Sequence, residues 1–215
     1  MSELLLSAAE LSTRNAIRSP ICQPCATGST GFWNQMVGYC TNESGTAPVP
    51  PQRISDMVAV ARRSPVPVAC GEDYYCAQQF GELLSHGAVQ IIQLEPQYLG
   101  ITVSKQVCGM VNAYNGVTAP HSAQGPLCSL VCAHLNTATP NFFIHEIFDE
   151  FNDDWSAEIL TNPIVVRDGY IELSDDRVGW GTDLNYDEIA KHPYNPNNFL
   201  PLFRAGWERR QTVGS

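Results

Sequence analysis

Val66-Pro-Val-Ala-Cys-Gly-Glu72 is a short apolar run that ends in a glycine and a carboxylate. The same arrangement, an apolar run that leads to one polar group, recurs three times downstream, as Val89-Gln-Ile-Ile-Gln-Leu-Glu95, Gly116-Val-Thr-Ala-Pro-His121 and Asn141-Phe-Phe-Ile-His-Glu146. The polar groups follow one another at intervals of 23, 26 and 25 residues. An interval of that length accommodates one strand, one helix and two short loops, so the stretch predicts repeated strand–helix units.

Segments with helical character lie between these runs, at residues 74–85, 102–114 and 125–137. Alternating strands and helices favour a parallel sheet, and repetition of the unit indicates an α/β fold of the TIM-type, (β/α)₈ barrel. The carboxyl ends of barrel strands meet at one mouth, so we expect the four polar groups to face one site. A complete barrel needs ~250 residues, and only four units are visible, so we expect a partial barrel.

Composition excludes several classes of function. The net charge of −10, without any lysine- or arginine-rich run, argues against a protein that binds nucleic acid. No apolar run approaches the ~20 residues that a bilayer-spanning helix needs, so we expect no membrane partner. The eight cysteines lack the spacing of a compact disulfide scaffold, and the first ten residues make a poor signal peptide. We therefore expect a reducing, cytoplasmic setting.

Residues 1–45 differ from the rest of the chain and lack a sustained strand or helix period. Cys22 and Cys25 form a Cys-x-x-Cys pair, with Cys40 downstream. A small zinc-binding module is one interpretation, but no second pair completes a tetrahedral ligand set, and free thiols are the favoured alternative. We expect this region to be irregular and poorly ordered.

Two further regions follow. Residues 46–147 should form the partial barrel. This region should begin with a helix at residues 54–63, where apolar residues fall on one helical face, and the barrel units should follow. Residues 148–215 should form a tail. Within it, residues 163–173 predict a hairpin with an Asp168-Gly169 turn, and residues 185–192 predict a short capped helix.

His121 is the strongest candidate for acid–base chemistry. It follows a strand and precedes a helix, which places it in a loop at the barrel mouth beside carboxylates. A carboxylate next to a histidine orients the ring and raises its basicity, as a general base requires. His145 alternates with Glu146 and should point away from the barrel axis.

Four motifs, taken together, resemble the C-terminal part of an enolase-superfamily barrel of the mandelate racemase/muconate lactonizing type. They are Pro67-Val-Ala-Cys-Gly-Glu72, Ile91-Ile-Gln-Leu-Glu95 with Gly100-Ile-Thr, Ala119-Pro-His121 with Gly125-Pro-Leu, and Phe143-Ile-His-Glu146. Their order and spacing are most similar to those of galactonate dehydratase-like sugar-acid dehydratases. The resemblance covers about residues 46–208 and includes Gly179-Trp-Gly and Asp187-Glu188-Ile in the tail, which in this family packs against a capping domain.

The resemblance implies roles for the four polar residues. Glu72 would bind Mg²⁺, Glu95 and His121 would form the dyad that removes the proton next to the substrate carboxylate, and Glu146 would hydrogen-bond the enediolate. Members of the family usually carry Asp where this chain has Glu95. The implied activity is that of a hydro-lyase acting on an aldonate, and family members are often homo-oligomers.

The metal site departs from the family pattern. Members bind Mg²⁺ through carboxylates on the third, fourth and fifth strands, whereas Thr46-Ala47-Pro48 stands where the family has Glu-Glu-Pro. No Asp-x-His motif precedes it, and the N-terminal capping domain and first barrel strands have no counterpart. We therefore expect an incomplete Mg²⁺ site and a truncated, impaired dehydratase. A non-catalytic remnant of the barrel, and a racemase or cycloisomerase of the same superfamily, remain the alternatives.

Overall fold

The computed structural model describes residues 17–22, 49–50, 53–149 and 152–195, the first of these through the backbone alone. Strands and helices alternate through the middle of this part of the chain. The strands are β1 (Ile17–Cys22), β2 (Ala69–Cys70), β3 (Ile91–Ile92), β4 (Val117–Thr118), β5 (His121–Ser122), β6 (His145–Ile147), β7 (Val166–Arg167) and β8 (Tyr170–Leu173). The helices are α1 (Ile54–Arg63), α2 (Ala77–Ser85), α3 (Pro96–Ala113), α4 (Pro126–Thr137) and α5 (Tyr186–Lys191), with a 3₁₀ helix at Asp154–Ile159.

The strands from β2 to β6 form the predicted parallel array. β2 pairs with β3 and β3 with β4, while β5 pairs with β6 so that His121 lies opposite Glu146. β4 and β5 are two parts of one run, separated by Ala119 and Pro120. The prediction that His121 lies in a loop is therefore wrong: Pro120 interrupts the run, and pairing resumes at His121. The rigid strand fixes the histidine more firmly than a loop would.

The helices agree with the sequence pattern, except that α2 begins three residues later than predicted, at Ala77, and α3 begins earlier. α1 and the end of α4 lie where the period predicted them. α3 begins earlier than predicted, at Pro96, because the Glu95 side chain caps its first turn. Gly100 (φ 71°, ψ 164°) then breaks the helical conformation, which separates a short first turn from the longer helix.

Two apolar clusters hold the helices to the strands. The larger joins α1, α2 and α3 to β2 and β3 and centres on side chains such as Phe80, Leu83, Ile92 and Val107, all fully buried. The smaller joins α4, β6 and β8 through the following residues: Leu130, Ala133, Ile147, Ile171 and Leu173. The second cluster ties the hairpin of the tail to the last barrel unit.

β1 occupies a place that the sequence did not predict. It pairs in parallel with β6, where Cys22 lies opposite Glu146, and antiparallel with β8, where Ile17 lies opposite Leu173. The resulting sheet has the order β5-β6-β1-β8-β7. Residues 17–22 of the predicted irregular segment are thus a strand, and the remainder of residues 1–45, with Cys25 and Cys40, lies outside the described residues.

The tail contains the two predicted elements. β7 and β8 form the hairpin, and its turn residues Asp168 (φ 52°) and Gly169 (φ 80°) both take the left-handed conformation of a type I′ turn. In α5, the Asn185 side chain accepts the backbone N–H of Glu188 and so caps the helix. Within the described ranges, no helix combines the length and apolar character that crossing a bilayer requires.

Candidate active site

His121 lies between two carboxylates at the carboxyl end of the parallel array. Its Nδ1 is 2.8 Å from Oε2 of Glu95, and its Nε2 is 2.8 Å from Oε2 of Glu72. The side chain of Glu95 is completely buried, while those of His121 and Glu72 are 11% and 16% exposed. Nδ1 is hydrogen-bonded to Glu95, and Nε2 forms a close ion pair with Glu72, so carboxylates next to both ring nitrogens favour the imidazolium form.

The charges around His121 favour that protonated form. Burial opposes the charge on the ring, but the hydrogen bonds to Glu72 and Glu95 and the charge of Glu146 outweigh it. The pKa of His121 is therefore raised well above its ordinary value. Glu72 also acts on Asp73, whose pKa is raised first by burial and second by that neighbouring carboxylate. The site as a whole is rich in negative charge.

Glu95 is held by groups from two helices. Its Oε1 accepts the backbone N–H of Gln97, in the first turn of α3, at 3.1 Å. The thiol of Cys128, in the first turn of α4, donates to the same oxygen at 3.4 Å. These contacts leave Oε2 for the imidazole, so the carboxylate has one orientation. Cys128 is half-buried, whereas Cys132 in the same helix is fully buried.

Glu146 is positioned by a residue that sequence analysis missed. Gln93 is almost fully buried, and its Nε2 donates to Oε2 of Glu146 at 2.7 Å. The signal was available in the sequence, because Gln93 and Glu95 lie two residues apart in the extended segment that follows β3 and so point to the same side. Gly71 permits the close approach of β2 to this point, since a Cβ there would lie 3.1 Å from the Gln93 backbone.

His145 lies on the opposite face of β6 from Glu146. Its ring is completely buried, and neither nitrogen has a hydrogen-bond partner among the described residues. Burial, together with the charge of His121, lowers the pKa of His145 to about 3. His145 is therefore a neutral core residue, and it takes no part in the site.

The described residues do not fit the magnesium site of the family. Across residues 49–50, 53–149 and 152–195, no three His, Cys, Asp or Glu side chains are arranged to hold a metal ion. Glu72, the implied metal ligand, is paired with His121 at 2.8 Å. A hard cation such as Mg²⁺ needs several oxygen ligands in near-octahedral geometry, which one engaged carboxylate does not supply. We therefore derive no chemical step through a metal.

The parallel βα units carry the carboxylate–histidine dyad at their carboxyl ends, as in an α/β barrel. Residues 47–189 match the family described as enolase C-terminal domain-like. The match covers well over half of the 215 residues, and the chain belongs to this family.

Named proteins of similar sequence or structure are consistent with this family assignment. A D-galactonate dehydratase family member of Oceanicola granulosus is 28% identical over 154 residues, which is 70% of this chain and 37% of the relative. A solved structure from Labrenzia alexandrii is provisionally assigned as a mandelate racemase/muconate lactonizing enzyme. It is 34% identical to this chain with a TM-score of 0.60, and the match covers 68% of this chain and 38% of that protein.

A further solved structure is an enolase from Agrobacterium radiobacter, provisionally assigned as a galactarate dehydratase, with bound Na and L-malate. It is 26% identical, has a TM-score of 0.63, and covers 68% of this chain and 40% of its own length. The chain thus spans about two fifths of the proteins it resembles.

Proposed function

We propose that the site belongs to an acid-sugar dehydratase, a hydro-lyase that removes the proton α to a carboxylate and then expels a hydroxyl group as water. The observation that carries the proposal is the buried 2.8 Å hydrogen bond between Glu95 and Nδ1 of His121, which fixes the orientation of the ring. The substrate class is an aldonate or aldarate, in line with the dehydratase names of the relatives.

Each residue has a distinct task in this reaction. Glu95 fixes the ring of His121 and stabilises the imidazolium that forms when Nε2 takes the α-proton. Glu146, when it carries a proton, donates a hydrogen bond to the substrate oxygen on which negative charge develops. The C–H bond electrons form the enediolate. Loss of the neighbouring hydroxyl with a proton, as water, then leaves an enol that converts to a 2-keto-3-deoxy acid.

The described arrangement is a resting state of this site. Because Nε2 of His121 is paired at 2.8 Å with Glu72 and the pKa of the ring is raised, the ring carries a proton on both nitrogens and cannot accept another. Proton abstraction requires that Glu72 first leave Nε2 and that the imidazolium lose one proton. A racemase or cycloisomerase shares this first step, so the same geometry also accommodates those reactions.

A non-catalytic role is the second candidate function. The ion pair between Glu72 and His121 favours it, because it neutralises both charges without substrate, and so does the lack of a three-ligand cluster in the described part of the chain. The two candidates differ in one measurable property, the exchange of the substrate α-proton with solvent.

His121→Asn tests the proposal. The wild-type chain should exchange the C2 proton of galactonate or galactarate for deuterium in D₂O, with or without added Mg²⁺, as followed by ¹H NMR. The variant should exchange at least ~100-fold more slowly, the usual contribution of a general base. His86→Asn, an exposed histidine outside the site, is the matched control.

Unchanged exchange in His121→Asn would show that His121 is not the base. Failure of the wild-type chain to exchange the proton or form a 2-keto-3-deoxy acid, across a panel of aldonates and aldarates, would favour the non-catalytic role instead.

A further inference from the structure

We propose that Tyr75, Tyr98 and Gln124 form a binding subsite, here called the tyrosine wall, for the polyhydroxylated chain of an acid-sugar substrate. The inference rests on the proposed function, because it assigns the part of the substrate that lies beyond the reacting carbons. It concerns three side chains that take no part in the proton transfer.

The position of the tyrosine wall follows from the repeat of the barrel. Tyr75, Tyr98 and Gln124 each lie three residues after one of the site residues, Glu72, Glu95 and His121 respectively. The equivalent loops of consecutive βα units are neighbours around a barrel mouth, so the three side chains form a row beside the dyad. A ligand whose α-carbon reaches Nε2 of His121 can therefore extend along the three side chains of the tyrosine wall.

The side chains of the tyrosine wall are held in position by contacts within the protein. The rings of Tyr75 and Tyr98 stack with centroids 5.1 Å apart and planes inclined by 38°. The two residues are nevertheless 60% and 47% exposed. Nε2 of Gln124 donates to the Tyr98 hydroxyl at 3.1 Å, which restrains the ring from the far side. The side chain of Gln79 accepts the backbone N–H of Tyr75 at 2.7 Å and restrains the other end.

The chemistry of the wall suits a sugar chain. Aromatic faces pack against the C–H faces of a polyol, while phenol and amide groups bind its hydroxyls. Burial, and next the charge of Glu95, raise the pKa of Tyr98, so its hydroxyl keeps its proton and can donate. Two exposed aromatic rings in contact also reduce the conformational entropy lost on binding, since they are already ordered.

Paired variants test the wall. Tyr75→Ala and Tyr98→Ala in the full chain should each weaken binding of galactonate by about tenfold, measured by calorimetric titration or saturation-transfer NMR. Neither should alter binding of lactate, which has the same α-hydroxy carboxylate but no sugar chain. Tyr98→Phe keeps the ring and removes the hydroxyl, so it should retain most of the affinity. Tyr114→Ala, which removes an equally exposed tyrosine at the other end of α3, should change nothing.

The outcomes separate this proposal from the proposed function. If the alanine variants bind galactonate as tightly as wild type while exchange at C2 still depends on His121, the wall proposal is overturned and the function stands. If binding depends on the wall but no exchange occurs, the wall stands and the function is overturned. If the wild-type chain binds lactate and galactonate equally, or neither, the wall proposal is overturned.

Discussion

Two buried histidines on neighbouring strands, His121 on β5 and His145 on β6, lie in opposite environments. On the mouth side, His121 lies opposite Glu146 and is held between Glu72 and Glu95. On the outer side, His145 is buried without a partner among the described residues. The pKa of His121 is raised well above its usual value, whereas that of His145 is lowered to about 3. Burial alone disfavours charge in both, so the two carboxylates decide the difference.

The comparison shows that burial does not determine the charge of a histidine. His121 is a stabilised cation, and separating it from its carboxylate partners costs free energy. His145 is a neutral side chain, and protonating it costs free energy. One contributes a functional group and the other fills space. The predictions below test the comparison by removing a partner, by changing pH, and by removing a lesser contact.

Removing the buried partner of His121 should have the largest effect. Glu95→Ala leaves the charged ring with one carboxylate and should lower the free energy of unfolding by about 3 kcal/mol, the usual result of breaking a buried ion pair. Urea unfolding at pH 7 measures the change. The control is Arg167→Ala, which breaks the surface pair with Glu172 (3.5 Å, arginine 62% exposed). It should cost below about 1 kcal/mol, and equal losses in the two variants would contradict the comparison.

Acid should lower the free energy of unfolding mainly through His145. Its pKa is about 3 in the folded chain and about 6.5 when unfolded. As pH falls below 6.5, the unfolded chain binds a proton that the folded chain does not, so stability decreases until the folded pKa is reached. His145→Leu removes this linkage and should gain about 2 kcal/mol relative to wild type between pH 6.5 and 4.5.

Urea unfolding at the two pH values measures the gain. The control is Ile147→Val, on the same face of the strand, which should lower stability by about 1 kcal/mol at both pH values alike. If His145→Leu followed wild type across this range, His145 would be protonated in the folded chain and the comparison would fail.

The thiol of Cys128 should contribute least. Cys128→Ala deletes the donor to Oε1 of Glu95 and should lower the free energy of unfolding by about 1 kcal/mol. Cys128→Ser retains a donor of similar size and should recover most of that loss. Urea unfolding of the two variants measures the difference. Equal destabilisation would show that Cys128 only fills space beside the dyad.

Much of the fold could be predicted from the sequence because its information is local and repeated. The regular intervals between Glu72, Glu95, His121 and Glu146 defined the βα units. The apolar stripe of α1 predicted both ends of that helix correctly. The convergence of Glu72, Glu95 and His121 followed from the topology, since parallel strands end at one edge. The left-handed turn at Asp168 and Gly169 followed from its residue types.

The contacts that decide the state of the site could not be predicted in the same way. A repeat places Glu72 and His121 at one edge, but it does not show that their side chains meet at 2.8 Å. The pairing of Gln93 with Glu146 depends on how closely two strands approach. β1 could not be predicted at all, because its six residues carry no period and its position depends on partners near the other end of the chain.

The position of β1 has a consequence for the order of folding. Ile21 pairs with His145, and Ile17 pairs with Leu173, so β1 cannot dock until a very long loop closes. The strands from β2 to β6, in contrast, are joined by connections of at most one helix and can assemble from local contacts. We expect the parallel array to form first and β1 to be inserted last, between β6 and the finished hairpin. Until that step the β6 edge is open, and a nascent or refolding chain is most exposed to pairing with another copy of itself.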